Sequence, residues 1–91
     1  MSVVVATFYK FVPIENCEEL QRSLQARCAD LALHGTILLA SEGINATLSG
    51  PDAAVNQLLD ELRSDERFAD LTAKFSPAAE HPFGRLKVKV K

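Results

Sequence analysis

The sequence predicts an α+β fold in which two helices cover one face of a four-stranded antiparallel sheet. Three observations carry that expectation. Two segments place apolar residues at helical spacing, and the segments around them alternate or run apolar over strand lengths. The third is size: 91 residues suffice for one compact core and not for a core plus a large enclosed cavity.

Residues 3–12 are rich in β-branched and aromatic types and read as a first strand, ended by Pro13. Asn16 followed by Glu19 has the pattern of a helix N-cap with its box partner. Cys17, Leu20, Leu24, Cys28 and Leu31 then form one apolar stripe, and Gly35 is placed to end the helix in a left-handed conformation. Residues 36–40 make a short apolar run suited to a covered strand, Ser41-Glu42-Gly43 supplies a turn, and residues 44–48 alternate apolar with polar. The pair reads as a hairpin.

Pro51 suits the first position of a second helix, with Ser49 or Gly50 as its cap. Val55, Leu58, Leu59 and Leu62 mark that helix's buried face, and Phe68 and Leu71 are expected to pack at its exit. Residues 72–76 are a weaker strand candidate, and residues 77–84 read as a loop holding two prolines. At the end Leu86, Val88 and Val90 alternate with Lys87, Lys89 and Lys91, an apolar face against a cationic one. Strand, helix, strand, strand, helix, strand is the ferredoxin-like split β-α-β order, shared with acylphosphatases. The sheet face away from the helices is left to water or to a partner.

Apolar residues make up 47% and charged residues 24% of the chain, ordinary values for a soluble domain. There is no run of 18 apolar residues and no basic stretch at the start, so the expectation is a soluble, cytoplasmic protein without a membrane partner. Charge is distributed unevenly. Residues 1–84 carry a net −6, and the last seven positions carry +4 on Arg85, Lys87, Lys89 and Lys91. Such asymmetry can mark a nucleic-acid contact. The plainer reading, a solvated strand face whose lysines discourage edge pairing, is favoured on composition because the domain as a whole is not basic. The alternation stops without a polar tail, so the chain is expected to continue past Lys91 as part of a longer protein.

No self-sufficient catalytic set is visible. Cys17 and Cys28 lie about 16 Å apart along one helix, beyond disulfide reach, and read as small core residues. His34, at a helix end, and His81, in the proline loop, have no sequence-local partners. Neither metal nor cofactor is expected, because no ligand spacing and no glycine-rich phosphate motif occurs. RNA-recognition motifs stack bases on aromatics of two central strands. Here Tyr9 and Phe11 share one face of the first strand, but the third strand offers Asn45 and Thr47. Acylphosphatases hold phosphate in a loop after the first strand that contains Gly and Arg. Residues 11–16 have neither, and Asn45 alone keeps an acylphosphatase-like hydrolase as an alternative.

The run from Thr36 to Gly50, with Glu42-Gly43-Ile44-Asn45 at its centre, resembles the N-terminal domain of the rhodanese-related tRNA uridine hydroxylases. The first strand and its exit, residues 8–14, and the basic segment from Pro82 to Lys91 resemble the same family, so the likeness spans the whole chain. Some members have Gly where this chain has Ala46. The resemblance implies a multi-domain cytoplasmic enzyme that hydroxylates the wobble uridine of certain tRNAs at C5 in an oxygen-dependent reaction. The family's functional cysteine belongs to a rhodanese domain that would follow Lys91. Neither Cys17 nor Cys28 matches its motif, so this chain alone is expected to be inactive, with no catalytic residue. Its implied task is RNA positioning by Arg85, Lys87, Lys89 and Lys91, with Tyr9, Phe11 and Lys10 adding an edge contact or a stacking surface. Glu42, Gly43 and Asn45 are the motif residues, for which a structural role in the turn is favoured over RNA contact. The competing reading is an interaction module that docks its own rhodanese domain.

Overall fold

The structure, a computed structural model, describes residues 3–78 and 84–91. Its elements are β1 (Val3–Phe11), α1 (Cys17–Asp30), β2 (His34–Ala40), β3 (Gly43–Pro51), α2 (Asp52–Arg63), a 3-10 turn (Glu66–Phe68), β4 (Ala73–Ala78) and β5 (Leu86–Val90). They build a five-stranded mixed sheet in the order β4-β1-β3-β2-β5. This corrects the expected four-stranded antiparallel sheet. Four strands do pair antiparallel as β4-β1-β3-β2, and β5 adds a fifth beside β2, parallel to it. The extra strand follows from pairing rather than pattern. Both end segments have strand character, and β2 would otherwise leave an unpaired edge.

Alternation along the strands sorts the two faces. Ala6 and Phe8 of β1, Ile37 and Leu39 of β2, Ala46 and Leu48 of β3 and Val88 of β5 point to one side and are buried. Leu24 and Cys28 of α1 and Val55, Leu58, Leu59 and Leu62 of α2 complete that core, together with Phe68 and Leu71. A row of exposed or half-buried side chains remains on the opposite face: Thr7, Tyr9 and Phe11, Thr36 and Leu38, Asn45 and Thr47, Lys87 and Lys89.

Several local expectations are revised. The left-handed residue after α1 is Ala32, at φ 56°, not Gly35. The Leu33 N–H donates to the Cys28 carbonyl and the Ala32 N–H to that of Ala29, so α1 closes in a Schellman turn three residues early. Gly35 and His34 lie inside β2 instead, and there Gly35, at φ 121°, passes so close to β3 that a Cβ would overlap the Thr47 carbonyl oxygen. Asn16 occupies the N-cap position of α1, its carbonyl accepting from the Leu20 N–H, but its side chain makes no capping bond. Its side-chain oxygen accepts from Arg67 Nη1 at 2.8 Å, tying the helix start to the 3-10 turn.

Ser49, Gly50 and Pro51 belong to β3, and α2 begins at Asp52 with no side-chain cap. A turn-like sequence persists as strand because small residues are required at that spot. Ser49 is fully buried, and Gly50 lies against the Leu33 side chain. Likewise Pro77 sits within β4, an edge strand, where a missing N–H donor is tolerated. His81, Pro82 and Phe83 lie outside the described residues.

Candidate nucleic-acid interface

The open face of the sheet is the part of the molecule best suited to meet a partner. Combining the strand registers places side chains in rows across four strands. One row runs Tyr9, Asn45, Leu38, Lys89, and its neighbour runs Thr7, Thr47, Thr36, Lys87. At about 4.8 Å per strand, a row spans roughly 14 Å. The Lys91 N–H donates to the Leu39 carbonyl at 2.7 Å, so Lys91 continues the β5 side of the surface. Arg85 enters the same edge from the other end, its carbonyl accepting from the Gly35 N–H at 3.2 Å. Lys74 of β4 stands opposite Thr7 at the far edge.

The aromatics are on the surface and not in the core. Tyr9 is 66% and Phe11 81% exposed, and their rings meet edge to face with centroids 5.7 Å apart. Beside them lies a shallow depression of about 250 Å³ lined by Tyr9, Phe11, Leu38, Asn45, Glu42 and Lys91, with Gly43 and Ala40 beneath. Gly43, at φ 155°, leaves no room for a side chain, since a Cβ would overlap the Lys10 carbonyl oxygen. Glu42 and Gly43 thus do structural work in the hairpin. The Ser41 and Glu42 carbonyls accept from the Ile14 and Val12 N–H groups, clamping the β2-β3 turn to the exit of β1. The Asn45 side chain is exposed on the open face and forms no part of that clamp.

Of the residues singled out in the sequence, Tyr9, Phe11, Asn45, Lys87, Lys89 and Lys91 are brought to one face. Lys10 is placed on the other. Its ammonium is half-buried and ion-paired with Asp70 at 2.6 Å, which holds the Asp70 carboxyl below the usual carboxylate range. Sequence reasoning could have separated Lys10 from its neighbours by strand parity alone. Leu38, by contrast, was hidden inside an apolar run that gave no sign which of its members faced out.

The segment between β1 and α1 does not offer an anion cradle. The N–H groups of Val12 and Ile14 are already donated to the hairpin turn. Arg67 approaches from the 3-10 turn, but it forks onto Asp65 at 2.7 and 3.1 Å and reaches Asn16 with its remaining nitrogen. The hydrogen bonds from Arg67 draw the Asp65 carboxyl down from its ordinary range. Cys28 is fully buried, and desolvation pushes its thiol up to about 12, so it is no nucleophile near neutral pH. Among the described residues no group of three or more His, Cys, Asp or Glu could hold a metal ion. No helix there is long and apolar enough to cross a membrane.

A family model described as the UPF0176 acylphosphatase-like domain matches residues 3–91. The chain belongs to this family. Among its relatives, the tRNA uridine(34) hydroxylases of Wolbachia pipientis wMel and Thiobacillus denitrificans are each 50% identical to it over all 91 residues. The chain spans 33% and 37% of their lengths, respectively, as the N-terminal third. Among solved structures it is similar to the BLUF protein BlrB, with a TM-score of 0.82 at 19% identity, covering 98% of this chain and 73% of that one. The photo-activated BlsA structure matches with a TM-score of 0.73 at 18% identity, over all of this chain and 71% of the other. At that identity the likeness concerns the ferredoxin-like fold alone. The UPF0176 relationship is what connects the chain to tRNA-modifying enzymes.

Proposed function

We propose that this UPF0176 domain positions tRNA for a cytoplasmic, oxygen-dependent hydroxylation of the wobble uridine at C5. The reacting groups come from a rhodanese domain following residue 91. The observation that carries the RNA role is the cationic edge. Lys87 and Lys89 are exposed, on the same sheet face as the exposed aromatics, in a chain half identical to tRNA uridine(34) hydroxylases.

Two residues apart on a strand, Lys87 and Lys89 project in one direction and are spaced about 6.6 Å, a ladder able to follow a phosphate backbone. Contacts of this kind fix orientation and register without reading sequence. The domain's part in the reaction is therefore placement: it holds the RNA while another part of the enzyme does the chemistry. Cys28, fully enclosed in the core, takes no part.

The test is tRNA binding by the full-length protein across a salt series. For Lys87→Gln with Lys89→Gln, the slope of log affinity against log salt should fall by about 1.5, since each neutralised phosphate contributes roughly 0.7 to 0.9. Lys10→Gln should leave the slope unaltered, because that lysine faces Asp70 on the other side. An unchanged slope in the double variant would remove β5 from the RNA interface. The open face would then pass to docking against the protein's own second domain.

A further inference from the structure

The depression beside Tyr9 and Phe11 has features that a phosphate-binding edge does not need. Its walls are an edge-to-face aromatic pair and Leu38, the exposed Asn45 amide presents a donor and an acceptor, and Gly43, where a side chain would strike the β1 backbone, also lines it. In a soluble domain two adjacent aromatics exposed to this degree are seldom left without a partner. The charges nearby select its kind. Lys89 lies in the same cross-strand row as Tyr9 and Asn45, and Lys91 lines the depression itself.

We infer that this depression binds one unpaired nucleobase of a single-stranded RNA segment, stacked on Phe11 and flanked by the inclined Tyr9 ring, with its neighbouring phosphates on Lys89 and Lys91. The inference rests on the RNA reading above and makes it specific, because a paired base cannot offer its face to the rings. Stacking needs a π-face and an accessible ring, both of which the exposed Phe11 supplies beside Tyr9. Asn45 can meet the hydrogen-bonding edge of any base, so it orients the base more than it selects one. Glu42, at the rim, carries a negative charge that disfavours a phosphate there, which leaves the β5 side for the backbone.

The experiment compares hexauridylate with a hexamer of the same backbone and charge that lacks bases, each titrated with the full-length protein at about 50 mM salt, where backbone contacts are strongest. Hexauridylate should bind about 5- to 150-fold more tightly, the range set by one stacked base. Tyr9 is the single tyrosine of the chain, which has no tryptophan, so in the isolated chain its emission reports directly on the site. That emission should change with hexauridylate and stay constant with the abasic strand. Phe11→Leu with Tyr9→Leu should erase the difference between the two strands and leave the salt slope intact. Equal affinity of the two strands for the unmodified protein would overturn the stacking site and leave the phosphate-binding role standing. Binding of neither strand would overturn both.

Discussion

Ala32 sits in the left-handed region at φ 56°, as the residue just past the last turn of α1. An L-residue there brings its Cβ against the following carbonyl at a cost of roughly 1–2 kcal/mol. Its methyl is exposed and buries nothing that glycine would lose. Ala32→Gly relieves the strain but loosens the unfolded chain by about 0.4–1 kcal/mol. The net is a stabilisation of about 0.5–1 kcal/mol, or roughly 2–8 °C in melting temperature for a domain of this size. Gly35 gives the opposite sign. At φ 121° its Cβ would strike the Thr47 carbonyl oxygen, so Gly35→Ala should destabilise by about 2 kcal/mol or more. Both variants can be followed by far-UV circular dichroism in urea and by thermal melts, with an unchanged urea slope marking a change in stability alone. A lower melting temperature for Ala32→Gly, or an unaffected one for Gly35→Ala, would refute the assignment of the left-handed stop to Ala32.

Val88 is the buried side chain of β5, so Val88→Ala should cost about 2 kcal/mol. Hydrogen exchange should show β5 amides losing protection before those of β3. Thiol reagents should label Cys17 in the folded protein at least about 100-fold faster than Cys28, because Cys28 is fully enclosed and its thiol is pushed up to about 12. Both should react in urea, and rapid double labelling of the native chain would contradict the core placement. The carboxyls of Asp65 and Asp70 are held below their ordinary values by Arg67 and Lys10, and that of Glu61 by Arg27, which forks onto it at 2.7 Å from each nitrogen. A lowered carboxylate contributes stability fully above its unfolded value near 4 and loses it as pH falls through the folded value. Urea midpoints should therefore be flat from about pH 7 to 5 and drop below about 4, and Asp65→Asn should make that drop shallower. An acid limb equally steep in the variant would exclude Asp65 from it.

Local patterns made most of the elements legible. The stripe through Leu24 and Cys28 and that through Val55, Leu58, Leu59 and Leu62 identify both helices, because each periodicity reports its own buried face. What stayed hidden was set by partners far along the chain. Leu86, Val88 and Val90 show a strand, yet nothing near them reveals that it lies parallel to β2, some fifty residues earlier. β4 is faint because an edge strand with Lys74, Ser76 and Pro77 exposed needs little apolar character. Ser49 and Gly50 look like a cap and are strand, since Leu33 occupies the space any side chain at Gly50 would need. At the candidate site, parity alone aligns Tyr9 with Phe11 and Lys87 with Lys89. That these pairs share a face depends on a register spanning four strands, which no single segment encodes.

The parallel pairing of β5 also bears on how the molecule opens. β5 has one neighbouring strand, and the Gln21 side chain caps the Val88 carbonyl at 2.7 Å. Closing that contact requires most of the chain to be in place first, so β5 is suited to joining a preformed core late and leaving it early. Its departure would bare the edge of β2, where Ile37, Leu38 and Leu39 form an uncharged apolar run. The lysines of this strand then have a second consequence unrelated to RNA. Like charges repel when two such molecules meet edge to edge, so the element that exposes the aggregation-prone strand is also a gatekeeper against its pairing.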